Sequence, residues 1–154
     1  MEKVIEKLKQ KNKTMSTMES CTGGYLANTI TNIKDSSQTF KFGAVTYSNE
    51  FKIKMGVSED IIKKFSVYSI ETAIEMSKNI SDYANSDYGV GITGKLNNED
   101  ELNLQSEINR VYISIYDKKL TKFYNYDIKV TKNTRKENKE EIIKFIKEKL
   151  LEIL

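Results

Sequence analysis

Two adjacent residues with reactive side chains, Ser20 and Cys21, are followed closely by a pair of glycines, Gly23 and Gly24. They lie between a short β-like run, residues 14–18, and an apolar segment with helical spacing. Where a strand turns directly into a helix, unpaired backbone N–H groups converge and stabilise negative charge. The two glycines allow a ligand to approach this backbone closely. The turn therefore predicts a site where a hydroxyl or a thiol acts beside several N–H donors.

The nature of the catalytic base is limited by the absence of histidine from the chain, which also has only one cysteine. Ser-His-Asp catalysis, Cys-His catalysis and ordinary zinc sites are thereby excluded. Ser20 is the leading nucleophile, although serine is also a common helix N-cap, and Cys21 is the rival, although a lone cysteine is most often buried packing. A serine nucleophile would need a lysine as its base. Lys52 and Lys54 both lie near the predicted site, and their spacing does not decide between them.

The elements that must position these residues alternate between strands and helices. Strands are predicted at 14–18, 40–47 and 87–93, and a hairpin at 111–116 and 120–126. This order predicts a layered α/β fold whose mostly parallel sheet carries one antiparallel strand. Ligands bind at the carboxyl ends of parallel strands, so Ser20, Tyr47 and Thr93 are expected to meet in one crevice. Helices are predicted at 1–13, 25–32, 48–55, 58–64, 69–84 and from 134 onward, and 95–109 is predicted to be a long loop.

Two helices carry apolar faces that indicate how they pack. The first face is predicted from Ile70, Ala73, Ile74, Ser77, Ile80 and Ala84, and the second from Ile142, Ile146, Leu150 and Ile153. The second face is typical of a helix that covers its own sheet, and pairing with another copy in a homodimer stays open.

Composition bounds the class of protein. The 154 residues predict a single domain over 1–154, and 38% hydrophobic with 31% charged residues is a balance typical of soluble globular proteins. The net charge of +3 is spread between interspersed signs, so no nucleic-acid partner is predicted. No apolar run approaches the roughly 20 residues of a membrane span. A single cysteine favours a cytoplasmic location.

Four short motifs resemble the CinA C-terminal domain family, which includes the nicotinamide-nucleotide amidases, also called nicotinamide mononucleotide (NMN) deamidases. They occur in the order of that family, and the resemblance covers nearly the whole chain. The motifs are Glu19-Ser20-Cys21-Thr22-Gly23-Gly24, Tyr47-Ser48-Asn49-Glu50-Phe51-Lys52, Gly56-Val57 and Gly91-Ile92-Thr93-Gly94.

The resemblance implies a three-layer α/β/α fold with a mixed, mostly parallel five-stranded sheet. It also implies hydrolysis of the carboxamide of NMN to nicotinate mononucleotide and ammonia, without a cofactor or a metal. Ser20 corresponds to the nucleophile and Lys52, rather than Lys54, to the base, while Tyr47 and Thr93 correspond to residues near the reacting group. The residues implied to bind the substrate, a pyridine nucleotide, are Glu19, Cys21, Thr22, Gly23, Gly24, Asn49 and Gly94.

One segment departs from the family pattern. The family's Thr-Gly motif continues into a loop rich in glycine and proline, whereas residues 95–101 here are Lys-Leu-Asn-Asn-Glu-Asp-Glu. An acidic run folded over the site would repel a phosphate group. A second hypothesis is therefore a non-catalytic CinA-like protein that binds a nucleotide or a protein, with an altered pocket loop at 95–109.

Overall fold

The computed structural model describes residues 1–101 and 103–154, which form a five-stranded sheet flanked by helices. The strands are β1 (Met15–Glu19), β2 (Phe40–Val45), β3 (Tyr88–Gly94), β4 (Arg110–Asp117) and β5 (Lys122–Lys129). The helices are α1 (Glu2–Gln10), α2 (Tyr25–Thr31), α3 (Asn49–Lys54), α4 (Glu59–Phe65), α5 (Ile70–Ala84) and α6 (Arg135–Ile153), with a 3₁₀ turn at Ser36–Gln38. Within the described ranges, no helix is long and apolar enough to cross a membrane.

The strand order across the sheet is β2-β1-β3-β4-β5. Strand β1 pairs in parallel with β2 and β3, and β4 pairs antiparallel with both β3 and β5. One strand thus runs against the other four, which confirms the prediction of a mixed, mostly parallel sheet. The carboxyl ends of β1, β2 and β3 meet at one edge, where ligands bind in sheets of this kind.

Helices cover both faces of the sheet, which confirms the three-layer prediction. On one face α1, α2 and α6 bury their apolar residues against β3 and β4 in the larger core cluster. On the other face, Met76 and Ile80 of α5 pack with Met18 of β1 and with Val57, which precedes α4. The stripe of α6 lies in the larger core, as expected of a helix that covers its own sheet.

The predicted buried face of α5 is partly wrong. Ile70, Ile74 and Ala84 are only partly buried. The helix turns a row of small and hydroxyl-bearing residues to the sheet because β3 carries glycines that allow a very close approach. A Cβ added to Gly89 would lie 1.9 Å from the carbonyl oxygen of Ser77. The buried residues of α5 are Thr72, Ala73, Met76, Ser77, Ile80 and Ser81.

Helix starts were predicted to within one residue, whereas strand bounds differ from the predicted ones by up to three residues. The predicted start of the last helix is confirmed by a capping box, a pair of reciprocal bonds at the first turn of α6: Glu137 N–H donates to Thr134 Oγ1 at 3.2 Å, and Thr134 N–H donates to Glu137 Oε2 at 3.1 Å. Ser48 Oγ accepts from Phe51 N–H at 3.3 Å and so fixes the first turn of α3. That helix is the element that carries Lys52.

Candidate active site

The turn between β1 and α2 holds the predicted nucleophile in a fixed backbone. Gly23 and Gly24 have φ values of 62° and 87°, a left-handed conformation that glycine adopts without strain. Ser20 follows directly on β1, and its N–H donates to Ile92 O of β3 at 2.9 Å. The N–H groups of Cys21 and Thr22 donate to no oxygen of another residue within the described parts of the chain.

Glu19 supports this turn from beneath. Its fully buried carboxylate accepts hydrogen bonds from Thr22 Oγ1 at 2.7 Å, Leu26 N–H at 3.0 Å and Ala27 N–H at 2.8 Å. A carboxylate in this position satisfies the first donors of α2 and faces the positive end of its dipole. The carboxylate therefore belongs to the scaffold of the turn and does not contact the space above Ser20.

Lys52 reaches Ser20 from α3. Its Nζ donates to Ser20 Oγ at 3.0 Å and to Thr46 O at 2.8 Å, and the residue is only 1% exposed. Burial lowers the pKa of Lys52 from its ordinary 10.5 to about 8, because an ammonium loses its hydration in such a site. Lys54, two residues along the helix, instead forms an exposed ion pair with Glu50 at 2.5 Å. The fold thus distinguishes two lysines that spacing could not separate.

Cys21 is a poor candidate for the nucleophile. It is 4% exposed, and burial raises the pKa of its thiol to about 12. The thiolate is the reactive form of cysteine, so this side chain is almost entirely unreactive at neutral pH. The environment of the turn therefore favours the serine hydroxyl over the thiol beside it.

The remaining predicted catalytic residues differ in their surroundings. Tyr47 is 67% exposed, and its hydroxyl accepts from Arg135 Nη2 at 3.4 Å. Thr93 is fully buried, and its Oγ1 donates to Val67 O at 2.9 Å. The Thr46 carbonyl, rather than the Tyr47 hydroxyl, orients the ammonium of Lys52.

An open cavity of about 610 Å³ lies above Ser20. Four of the predicted residues line it: Ser20, Cys21, Tyr47 and Gly94. The other predicted residues do not line it: Glu19, Thr22, Gly23, Gly24, Asn49, Lys52 and Thr93. All but one of residues 95–101 line the same cavity, and we name this segment the acidic wall. This part of the predicted long loop therefore shares the cavity with the serine.

Two residues that line the cavity, Tyr68 and Arg135, lie outside both the predicted site residues and the predicted pocket loop 95–109. Lys95 is buried and donates to groups within its own loop, and Tyr68 OH donates to Asp100 Oδ2 at 2.6 Å. Arg135 opens α6 directly after the box residue Thr134, and its guanidinium donates to Leu96 O. A basic residue at a helix start carries no signal of its own, and only the contact across the fold reveals it.

A model of the CinA C-terminal domain matches residues 1–154 of the chain. The chain belongs to the CinA C-terminal domain family. A CinA-like protein of Endomicrobium trichonymphae is 36% identical over 146 residues, which cover 94% of this chain and 34% of that protein. A CinA-like protein of Kosmotoga olearia is 45% identical over 92 residues, covering 59% of this chain and 22% of that protein. The chain therefore spans only a minor part of the length of these CinA relatives.

Solved structures of the CinA superfamily share the fold. The competence/damage inducible protein CihA from Agrobacterium tumefaciens superposes with a TM-score of 0.90 at 24% identity, over 97% of this chain and 90% of that chain. A competence or damage-inducible protein from Enterobacter asburiae gives 0.91 at 22% identity, over 99% and 95% of the two chains. At this level of identity, the likeness establishes the architecture of the CinA domain alone.

Proposed function

We propose that this CinA-family chain is a Ser-Lys amidohydrolase that hydrolyses the carboxamide of NMN or a related pyridine nucleotide. The observation that carries the proposal is the 3.0 Å contact between Ser20 Oγ and Lys52 Nζ. The described partners of this ammonium are two neutral oxygens, so no carboxylate contact holds it protonated. A lysine with a pKa of about 8 has an appreciable neutral fraction near pH 7 and can act as a general base.

The chemistry divides into two acyl transfers. Neutral Lys52 takes the hydroxyl proton of Ser20 as Oγ attacks the carboxamide carbon, and then gives that proton to the departing NH₂ group. The C–N bond breaks, ammonia leaves, and an ester joins Ser20 to the acid. Water then attacks this ester, loses a proton to Lys52, and the proton returns to Ser20 Oγ as the acid is released.

The negative oxygen of each tetrahedral intermediate needs donors already in place. We assign this role to the backbone N–H of Cys21, because Cys21 lines the cavity beside Ser20 and its N–H donates to no other residue among those described. The hydroxyl of Thr93 donates to Val67 O instead, so we assign this residue to holding the carboxyl end of β3. Tyr47 stands at the rim, where it fits contact with the body of the substrate better than proton transfer.

The choice of a pyridine nucleotide rests on the resemblance to the amidases of this family and on the size of the cavity. A volume of about 610 Å³ is in the range typical of small-molecule sites. Arg135 contributes a guanidinium to the lining, and a guanidinium suits binding of a phosphate.

The rival function is binding without turnover, and the acidic wall is the observation that favours it. Purified chain incubated with NMN distinguishes the two. Ammonia and nicotinate mononucleotide formed in equal amounts support the hydrolase. Binding detected by calorimetry without release of ammonia would identify a non-catalytic protein.

The activity is expected to rise with pH. Only the neutral form of Lys52 accepts a proton, and its pKa is about 8, so kcat/KM for NMN should increase about tenfold per pH unit below that value and level off above it. The measurement is ammonia release between pH 6 and pH 9.5, with Lys54→Met as the matched control that keeps the same profile. A rate that is flat or falls over this range would mean that Lys52 is not the base.

A further inference from the structure

The acidic wall gives the cavity an uneven distribution of charge. Its lining contains three carboxylates, from Glu99, Asp100 and Glu101, and two side chains that are cationic at neutral pH, Lys95 and Arg135. What the cavity can bind depends on which of these charges a ligand can reach.

The ammonium of Lys95 is fully used within the loop. It donates to Ser106 O at 2.7 Å, to Asn103 O at 2.9 Å and to Glu99 Oε2 at 3.2 Å. An ammonium has three N–H donors, so none of them remains for a substrate. Lys95 therefore fixes the wall in place but offers a phosphate no hydrogen bond.

The charges near the two ends of the wall are of opposite sign. At one end Arg135 donates to Leu96 O and to Tyr47 OH, which leaves part of its fork of five donors for a ligand. At the other end Asp100 accepts from Tyr68 OH at 2.6 Å and from Asn103 Nδ2 at 2.9 Å. Glu101 is exposed beside it and lines the same cavity. The carboxylates at this end are thus held as part of the lining.

We propose that this cavity favours a cationic pyridine nucleoside, nicotinamide riboside, over its phosphate monoester NMN. This inference rests on the proposed function for the carboxamide-bearing pyridinium group and adds that the wall disfavours the phosphate of a nucleotide. Both ligands carry the same pyridinium cation and carboxamide, but the monoester adds a charge of about −2 at neutral pH. The lining carries three carboxylates against two basic side chains, of which Lys95 is fully engaged within its loop. This excess of negative charge attracts the pyridinium and repels the added phosphate, even though Arg135 can donate to a phosphate oxygen.

Binding measurements on an inactive variant test this inference independently of whether the chain hydrolyses the ligand. Calorimetry on the Ser20→Ala variant, which cannot form the acyl-enzyme, should give a Kd for nicotinamide riboside about tenfold lower than for NMN. The preference should shrink as salt is raised from 0.05 to 0.5 M, by general screening of exposed charges. In parallel, ammonia release by the wild type is measured with both compounds.

Charge reversal at the rim tests the assignment to the wall. In the Ser20→Ala background, Glu101→Gln should lower the riboside preference about threefold and Glu101→Lys about tenfold. The matched control Glu148→Gln alters an exposed carboxylate of α6 outside the cavity lining and should leave the preference unchanged.

Two results would overturn the inference: NMN binding as tightly as the riboside, or a preference that Glu101→Lys does not change. A riboside preference in binding with no ammonia from either compound would leave the inference standing and refute the proposed hydrolase. Ammonia release together with tighter binding of NMN would support the proposed hydrolase and refute the inference.

Discussion

Replacing Ser20 by alanine is expected to lower kcat/KM for ammonia release from NMN by about 10³-fold or more. The variant lacks the atom that forms the acyl-enzyme, and no other hydroxyl contacts Lys52 Nζ among the described residues. Lys52→Met should cause a loss of the same order, because Ser20 then has no base. The two losses should not add in the double variant, since both residues serve one proton transfer.

The controls use the same residue types outside the site. Ser37→Ala changes an exposed serine of the 3₁₀ turn, and Lys54→Met changes the exposed lysine of the same helix as Lys52. Both should keep kcat/KM within about threefold of wild type, as surface changes usually do. Substantial activity in Ser20→Ala, at more than a tenth of wild type, would show that another group attacks the substrate.

Among glycine-to-alanine substitutions in the sheet, Gly89→Ala is expected to lower the free energy of unfolding most. The new Cβ would lie 1.9 Å from the carbonyl oxygen of Ser77 and 2.9 Å from the Cβ of Ser81. The first contact is with helix backbone, which cannot rotate away, so α5 must move off β3. A loss of about 3 kcal/mol or more in the free energy of unfolding is expected, measured by urea titration.

The matched control is Gly43→Ala, another strand glycine, in the edge strand β2. Its added Cβ would meet a ring carbon of Phe40 at 3.0 Å and two other side chains at 3.1 and 3.2 Å. Side chains can shift by a few tenths of an ångström, so a loss of about 1 kcal/mol or less is expected. Equal losses in the two variants would contradict the close packing of α5 on β3.

The sequence allowed prediction of features that depend on local spacing. Three such features are the alternation of strands with helices, the hairpin, and the helix start at Thr134. Each depends on residues within a few positions of one another. The local pattern placed Ser20 just after the first strand, the rule for parallel strands predicted that Ser20, Tyr47 and Thr93 meet at one edge of the sheet, and the resemblance selected Lys52. These inferences follow from short-range patterns and from one general rule of sheets.

Features that depend on contacts between distant segments could not be predicted from the sequence. The bond of Arg135 to Leu96 joins residues 39 positions apart, and the hydroxyl of Thr93 is directed to Val67 by a loop that precedes α5. The face of α5 was misjudged because apolar residues were expected to be inside. There the glycines of β3 bring the backbone so close that only small side chains fit.

The burial of Lys52 also makes the stability of the fold depend on pH, because folding is coupled to proton binding by this side chain. The unfolded chain holds the lysine proton up to about pH 10.5 and the folded chain only up to about 8, so unfolding between these values takes up a proton. The free energy of unfolding should therefore rise with pH across this window, by up to about 3 kcal/mol from this group. Below pH 8 the folded chain must bury the protonated lysine, so the full destabilisation from this group is present there.

Lys52→Met isolates this coupling from the tyrosines that titrate at high pH. At pH 7 the variant should be more stable than wild type by about 1–2 kcal/mol, because a methionine needs no hydration even though Thr46 O loses a donor. Urea titrations at pH 7 and pH 10 should show that advantage shrinking as the wild-type lysine loses its proton. The proposed base would then be a residue that weakens the fold at the pH where it acts, as functional residues often do.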